Sequence, residues 1–381
     1  MTHYKMSDVA VEVNDRENNP ASSKYDRFVG LEHYVSGEVI IRNYGSTENL
    51  ESTMKIFQSG DVLVARRNVY LKRASMVDFD GLTSGDSIVL RAKNPVIGRI
   101  LPFVLNTDAF WDFADQYSDG TMSKRLSPKT LMTYEFDLPD EEELGKFADL
   151  LWAANDTRES YQALLRQTDE LVKSQFIELF GDIESNPFGW KSSTVGNECH
   201  YIKDGPHKSP KYLDDNKGIP FISTRNVVNG DDIDWSTAKY ISEEDYLQCI
   251  KKCHPEKGDI LYSKGGTTGI AKLVKTDMKF ANWVHVAVLK FGDQLDGRFF
   301  ECMLNSDYCY AQSQALTKGI ANRDFVLSAI AQVKIFVPPI ELQKRYTAFV
   351  EQTDKSKFEI KKAIENTSAL IKSLMQQDLT N

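Results

Sequence analysis

Apolar side chains along this chain follow two rhythms. Tyr134, Phe136 and Leu138 alternate with polar residues, as do Val333, Ile335 and Val337, and Pro139 and Pro338 follow them. Period two closed by proline predicts a strand that ends where a helix begins. Beyond each proline the period lengthens. Phe147, Leu150, Ala154, Thr157, Tyr161, Leu164, Thr168, Leu171 and Gln175 are spaced by threes and fours. Tyr346, Phe349, Thr353, Ser356, Ile360, Ala363, Thr367, Leu370 and Leu374 repeat that spacing. No Gly or Pro interrupts Lys146–Phe180 or Gln343–Gln377. The pattern predicts two long helices with a heptad seam, each about 50 Å long at a rise of about 1.5 Å per residue. Gly181 and then Asn186-Pro187 predict the stop of the first. Upstream, Asp61–Ala65, Ser87–Leu90, Asp259–Tyr262 and Val286–Leu289 read as short strands.

The two halves match at an offset of 199 residues. Gly98-Arg99 recurs as Gly297-Arg298, and Leu105-Asn106-Thr107-Asp108 as Leu304-Asn305-Ser306-Asp307. Gly120 and Gly319, Lys124 and Arg323, and Lys173-Ser174 and Lys372-Ser373 keep the offset, as does every seam position. One structural unit is therefore used twice. If the seams pack together, the second helix must run back along the first, giving an antiparallel coiled coil with a pseudo-two-fold axis. The expected class is α+β, with mainly antiparallel sheets and short helices in two tandem domains separated by two long helices. The expected boundaries are 1–139, 140–184, 185–338 and 339–381.

With 381 residues, 41% of them hydrophobic and 27% charged, the chain fits a globular protein of two or three domains. No apolar run approaches the roughly 20 residues of a membrane span, and no signal peptide is read. The five cysteines fall in the second half, an odd and lopsided set that fits a reducing cytoplasm better than a disulfide framework. The net charge of −9 argues against nucleic acid until its distribution is seen. Between Asp137 and Glu184 stand 13 acidic and 4 basic residues, which account for the whole imbalance. Local basic patches elsewhere can still bind phosphates.

Catalytic motifs are few. Lys264-Gly265-Gly266-Thr267-Thr268-Gly269 lacks the Gly-Lys-Ser/Thr of a phosphate-binding loop and reads as a turn after a strand. Asn186-Pro187-Phe188 lacks the second proline of the adenine methyltransferase motif. Cys249, Cys253 and His254 with Cys199-His200 match no common zinc spacing, so scattered thiols are the better reading. The acids Glu141-Glu142-Glu143 suit the first turn of a helix.

Basic loops are the stronger signal, because they recur at matched positions. Arg66 and Arg67, followed by Lys72 and Arg73, stand opposite Lys264; Lys124 and Arg125 stand opposite Arg323. Lys203, His207 and Lys208 crowd one loop, and Arg225-Asn226 follows it. These thirteen residues are the candidates for nucleic-acid contact, arginine and asparagine for base edges and lysine for phosphates.

Ile202-Lys203-Asp204-Gly205-Pro206-His207 through Pro210, followed by Gly218–Val227, resembles the opening of a target recognition domain in the specificity subunits of type I restriction–modification systems. Pro206 stands where that motif usually has Thr. Gly258–Gly269 resembles the family's central strand and loop, and Phe336-Val337-Pro338-Pro339-Ile340-Glu341-Leu342-Gln343 the start of its conserved helix. Leu179-Phe180-Gly181-Asp182 resembles the segment that ends the first helix. The first half matches from Phe28-Val29-Gly30-Leu31-Glu32-His33 onward. The resemblance implies a cytoplasmic, non-catalytic subunit of a bacterial or archaeal defence system. Each recognition domain would read half of a bipartite, asymmetric site on double-stranded DNA. The helices would set the gap and dock two methyltransferase subunits, and motor-nuclease subunits would complete the complex. No cofactor is expected in this chain; S-adenosylmethionine, ATP and magnesium would sit in the partners. The alternative is a coiled-coil adaptor that binds only proteins, and a third reading is a self-sufficient nuclease or methyltransferase. Joint replacement Arg66→Ala and Arg225→Ala separates the first two: DNA affinity of the partner-bound chain falls for a DNA reader and stays unchanged for an adaptor.

Overall fold

The strand Val62–Ala65 is buried at every position, and so is its counterpart Ile260–Ser263. Alternate side chains of such a strand must feed two cores. Val62 and Val64 pack with Ile88 and Leu90 against the helices Pro95–Val104 and Asp108–Gln116, while Leu63 and Val89 pack with Val29 and Phe57 on the other face. In the second half Ile260, Tyr262, Ala287 and Leu289 face Phe299, Phe300 and Met303, and Leu261, Val286 and Val288 face Ile222 and Val227.

A computed structural model of the chain describes residues 1–120, 123–214, 217–319 and 323–377. Asn322 in the Gly-plus-basic loop and residues 378–381 of the second predicted spacer helix lie outside the described residues. The chain divides into two compact units, Met1–Leu165 with Glu359–Asn381, and Arg166–Phe358. In the first unit one antiparallel sheet runs in the order Ala10–Val13, Ser87–Ala92, Val62–Ala65, Ala74–Met76. The second unit repeats it with Cys199–Asp204, Val286–Phe291, Ile260–Ser263 and Ala271–Leu273. Register is kept: Val62 pairs with Leu90 and Met76, and Ile260 with Leu289 and Leu273. A second sheet in each unit carries one parallel pair, Arg27–Val29 with Gly81–Thr83 and Ile219–Ile222 with Ala281–Asn282. The α+β class, the mainly antiparallel sheets and the long helices are as expected.

The 199-residue offset slips mainly in loops, and once in a strand, where a bulge between Cys199 and Tyr201 adds a residue that Ala10–Val13 lacks. Between the matched strands, residues 66–73 of the first unit face the one-residue-shorter 264–270, and 77–86 face the two-residue-longer 274–285. Loops absorb such changes cheaply, whereas a slip within a strand would turn its side chains to the wrong core. A buried aspartate anchors both strands at the same place. Asp61 takes Arg91 at 2.7 and 2.8 Å, and Asp259 takes Lys290 at 2.7 Å.

The long helices span Glu141–Phe180 and Ile340–Gln377. The first begins at the acidic run, where carboxylates meet the positive end of the helix dipole. It ends at Gly181, whose φ of +77° suits a residue without a Cβ. In the second unit Phe176 and Phe180 pack on Phe299, Phe336 and Tyr346, the Tyr346 hydroxyl donates to the Val172 carbonyl at 3.4 Å, and Lys357 pairs with Asp169. In the first unit Ile371, Leu374 and Met375 join the core that holds Leu144, Phe147, Ala148 and Leu151. Within each unit the helices therefore pair antiparallel.

The inward stripe differs from the expected seam. Leu150, Leu164 and Leu171 are 48%, 44% and 52% exposed, and Leu370 is exposed as well. The more buried positions lie one residue on: Leu151 is buried where Leu150 is exposed, Ile371 is partly buried beside exposed Leu370, and Met375 is buried beside partly buried Leu374. Both stripes share Phe147 and Ala154, and the broad globular face against which each helix end packs selects the second. Accordingly Phe180→Ala should cost about 3–5 kcal/mol in chemical denaturation, by loss of a buried aromatic. Leu171→Ser should stay within about 0.5 kcal/mol of the wild type. Equal costs would restore the original seam.

Candidate nucleic-acid interface

Three backbone hydrogen bonds fix a loop platform at the edge of each main sheet. In the first unit the Arg66 amide donates to the Asp86 carbonyl (2.9 Å), the Leu126 amide to Arg66 (2.9 Å) and the Asn68 amide to Lys124 (2.9 Å). In the second, Lys264 donates to His285 (2.9 Å), Phe325 to Lys264 (2.7 Å) and Gly266 to Arg323 (3.3 Å). Matched bridges join Arg67 with Arg125 and Asp119 with Arg125, and Gly265 with Asp324 and Lys318 with Asp324. The loops that sequence paired are thus paired in space within their own units.

The side chains on this shared frame differ. Asp86 receives Arg67 at 3.2 Å and Arg125 at 2.8 Å, both half-exposed. Exposed pairs of this kind add only about 0–1 kcal/mol, so their main effect is to orient two guanidinium groups. Arg66 lies half-buried and donates its Nε to the Leu126 carbonyl at 3.2 Å. Burial, and then the charge of Arg125, lower its pKa from the ordinary value. Lys124 holds Asp115 at 2.6 Å, and Arg323 holds Gln314 in the matched place. Lys72 and Arg73 stand apart from this cluster in their bonding. Lys72 shares Asp108 with Lys372 (3.0 and 2.6 Å), and Arg73 donates to the carbonyls of Leu31 (2.9 Å) and Arg67 (3.2 Å). Arg73 thus braces the loop.

Two candidates of the second unit are buried, against expectation. Asn226 is 2% exposed. Its Oδ1 accepts from the Ser223 amide and hydroxyl (2.9 and 3.0 Å), and its Nδ2 donates to the Asp234 carbonyl and Thr237 hydroxyl (3.0 and 3.1 Å). With its amide used in full, it closes the turn before the short helix Thr224–Val228 and has nothing left for adenine. Lys264 is 5% exposed, its ammonium between Asp324 (3.0 Å) and Asp204 (3.4 Å). It is an internal counter-ion. Arg225, beside Asn226, is exposed, as are Lys203, His207 and Lys208. The last two follow Gly205, where any Cβ would lie 1.8 Å from the Asn282 carbonyl oxygen, so this loop demands glycine.

Sequence reasoning missed Asp86 and His285, and the sign change from Asp119 and Arg125 to Lys318 and Asp324. The signal was present: all three pairs sit at the 199 offset. A pattern of basic residues alone does not register acids and a histidine at matched positions. Among the described residues no group of three or more His, Cys, Asp or Glu is placed to hold a metal, and no helix is long and apolar enough to cross a membrane. Cys199, Cys249, Cys253 and Cys309 are buried and unpaired, and burial raises the Cys253 thiol to about 11.

Asn226→Ala should therefore lower stability by about 1–3 kcal/mol through its orphaned partners, and Lys264→Ala by about 1.5–3 kcal/mol through its lost charged hydrogen bonds, since Asp204 keeps Lys252 at 2.7 Å and Asp324 is half-exposed. DNA base preference, read by binding to a panel of duplexes, should survive Asn226→Ala. A changed preference would return Asn226 to the interface.

Comparison with known proteins places this geometry. Residues 187–367 match the model of the type I restriction modification DNA specificity domain. The whole chain is similar to the type I restriction-modification system S subunit from M. genitalium, at 15% identity and a TM-score of 0.57, with 100% of this chain and 96% of that chain covered. It is also similar to a chain solved in work on complex assembly and conformational transition of the type I R-M system, at 20% identity and a TM-score of 0.53, covering 99% of this chain and 96% of that one. Residues 187–367 thus resemble the type I restriction modification DNA specificity domain, and the chain as a whole shares its fold with the S subunit of such a system.

Proposed function

We propose that each unit reads one half of a bipartite, asymmetric site on double-stranded DNA, and that the two long helices set the gap. One observation carries this reading: the same backbone platform occurs twice with different side chains on it. A repeated frame supports repeated docking on a repeated ligand, and divergent side chains support different sequences read by each. Arg67, Lys124, Arg125, Lys203, His207, Lys208, Arg225 and Arg323 are the proposed contacts, with Arg66 and Arg73 bracing the first platform.

The chain serves as a scaffold. Two methyltransferase subunits, with their S-adenosylmethionine, dock along the helices, and motor-nuclease subunits using ATP and magnesium join them in the cytoplasm. In the first unit Leu150 and Leu164 support the docking surface, since they lie two heptads apart and both are exposed. A protein-only adaptor would leave the duplicated basic loops without a purpose.

Footprinting of the chain with its methyltransferase partner tests the proposal. Two protected blocks separated by a sequence-indifferent gap are expected, and one heptad inserted into each long helix should widen that gap. A single continuous protected motif overturns the bipartite reading, and an unchanged gap overturns the spacer role.

A further inference from the structure

Resting on the reading that each unit binds a DNA half-site, we infer that Arg67 and Arg125 form the base-reading fork of the first unit and select guanine. Asp324, at the place of Arg125 in the second unit, accepts from Lys264 on Oδ1 at 3.0 Å and with its half-exposed carboxylate's other oxygen selects instead a base that presents an amino group. The argument is the sign reversal on a fixed frame. Arg125 faces Asp119 across a backbone bridge, and Asp324 faces Lys318 across the matched bridge, so donor and acceptor have changed places as a pair.

A phosphate is an anion wherever it lies, so a shared phosphate contact cannot tolerate an aspartate in place of an arginine. A base edge can. Guanine offers two acceptors that match the arginine fork, whereas cytosine and adenine offer amino donors that a carboxylate accepts. The position that keeps its sign, Lys124 and Arg323, is the one suited to a phosphate common to both halves. Asp86 completes the fork: its two oxygens hold Arg67 at 3.2 Å and Arg125 at 2.8 Å, one bond to each of two half-exposed guanidinium groups that carry five donors apiece. The second unit has His285 at that place and Gly265 at the place of Arg67, so it carries no such fork.

The test uses the full chain assembled with its methyltransferase partner. Arg67→Lys and Arg125→Lys keep the charge and lose the fork. Affinity is measured on the cognate duplex and on duplexes with each base pair changed in turn. In the double variant, discrimination at one guanine of one half-site should fall by roughly 5- to 150-fold, with the other half-site unaltered. Asp324→Asn should change only the other half-site. Thermal denaturation confirms that each variant is folded, and matched affinity on non-cognate DNA provides a second check, since the charge is kept. A bipartite site read by the wild type with unaltered discrimination in the Lys variants overturns this inference alone. So does an affinity loss equal on every duplex, which marks a phosphate contact. A wild-type complex with no half-site preference overturns the underlying reading as well.

Discussion

Two-sided burial of one short strand in each unit is the constraint on which the structure rests. Val62–Ala65 and Ile260–Ser263 send alternate side chains into two cores, so neither strand can slip by a residue. The loops that leave these strands inherit that rigidity. Arg66 and Lys264 are the first residues past the buried strand, and their amides are tied to the next strand at Asp86 and His285. A platform hung from so fixed a point can change its side chains without moving its backbone. That separation of frame from chemistry explains how one fold can be used twice and yet carry different side chains each time.

The fold was legible where a pattern recurred. Alternation at Tyr134–Leu138 and Val333–Val337, the uninterrupted helical stretches and the constant offset each had a second copy to check against. The seam was less legible, because Leu150 and Leu151, or Leu374 and Met375, are equally apolar. Only the globular face against which the helix packs decides between adjacent stripes. Composition of the site was legible in outline, as basic loops at matched places. It failed at Lys264 and Asn226, because residue type says nothing about burial. A lysine beside two glycines looks exposed until Asp204, from another strand, and Asp324, from a loop, are brought to it.

The recognition region and the helices also differ in how they record ancestry. From Ser87 and Val286 onward the halves stay in register without a gap. Before that point the length changes lie in loops and in one bulge between Cys199 and Tyr201. Such a distribution follows from physics: a helix end that completes a core has no tolerance for insertion, whereas a surface loop has much.

The antiparallel pairing has a consequence in time. Leu151 shares its core with Ile371, which lies 220 residues further along the chain. Translation delivers the earlier unit first, but its apolar face stays uncovered until the second helix has been made. The later unit draws on Phe176 and Phe180, which already precede it, and can close at once. Order of synthesis and order of completion are therefore reversed, and the newborn first unit is the part that needs shelter from aggregation.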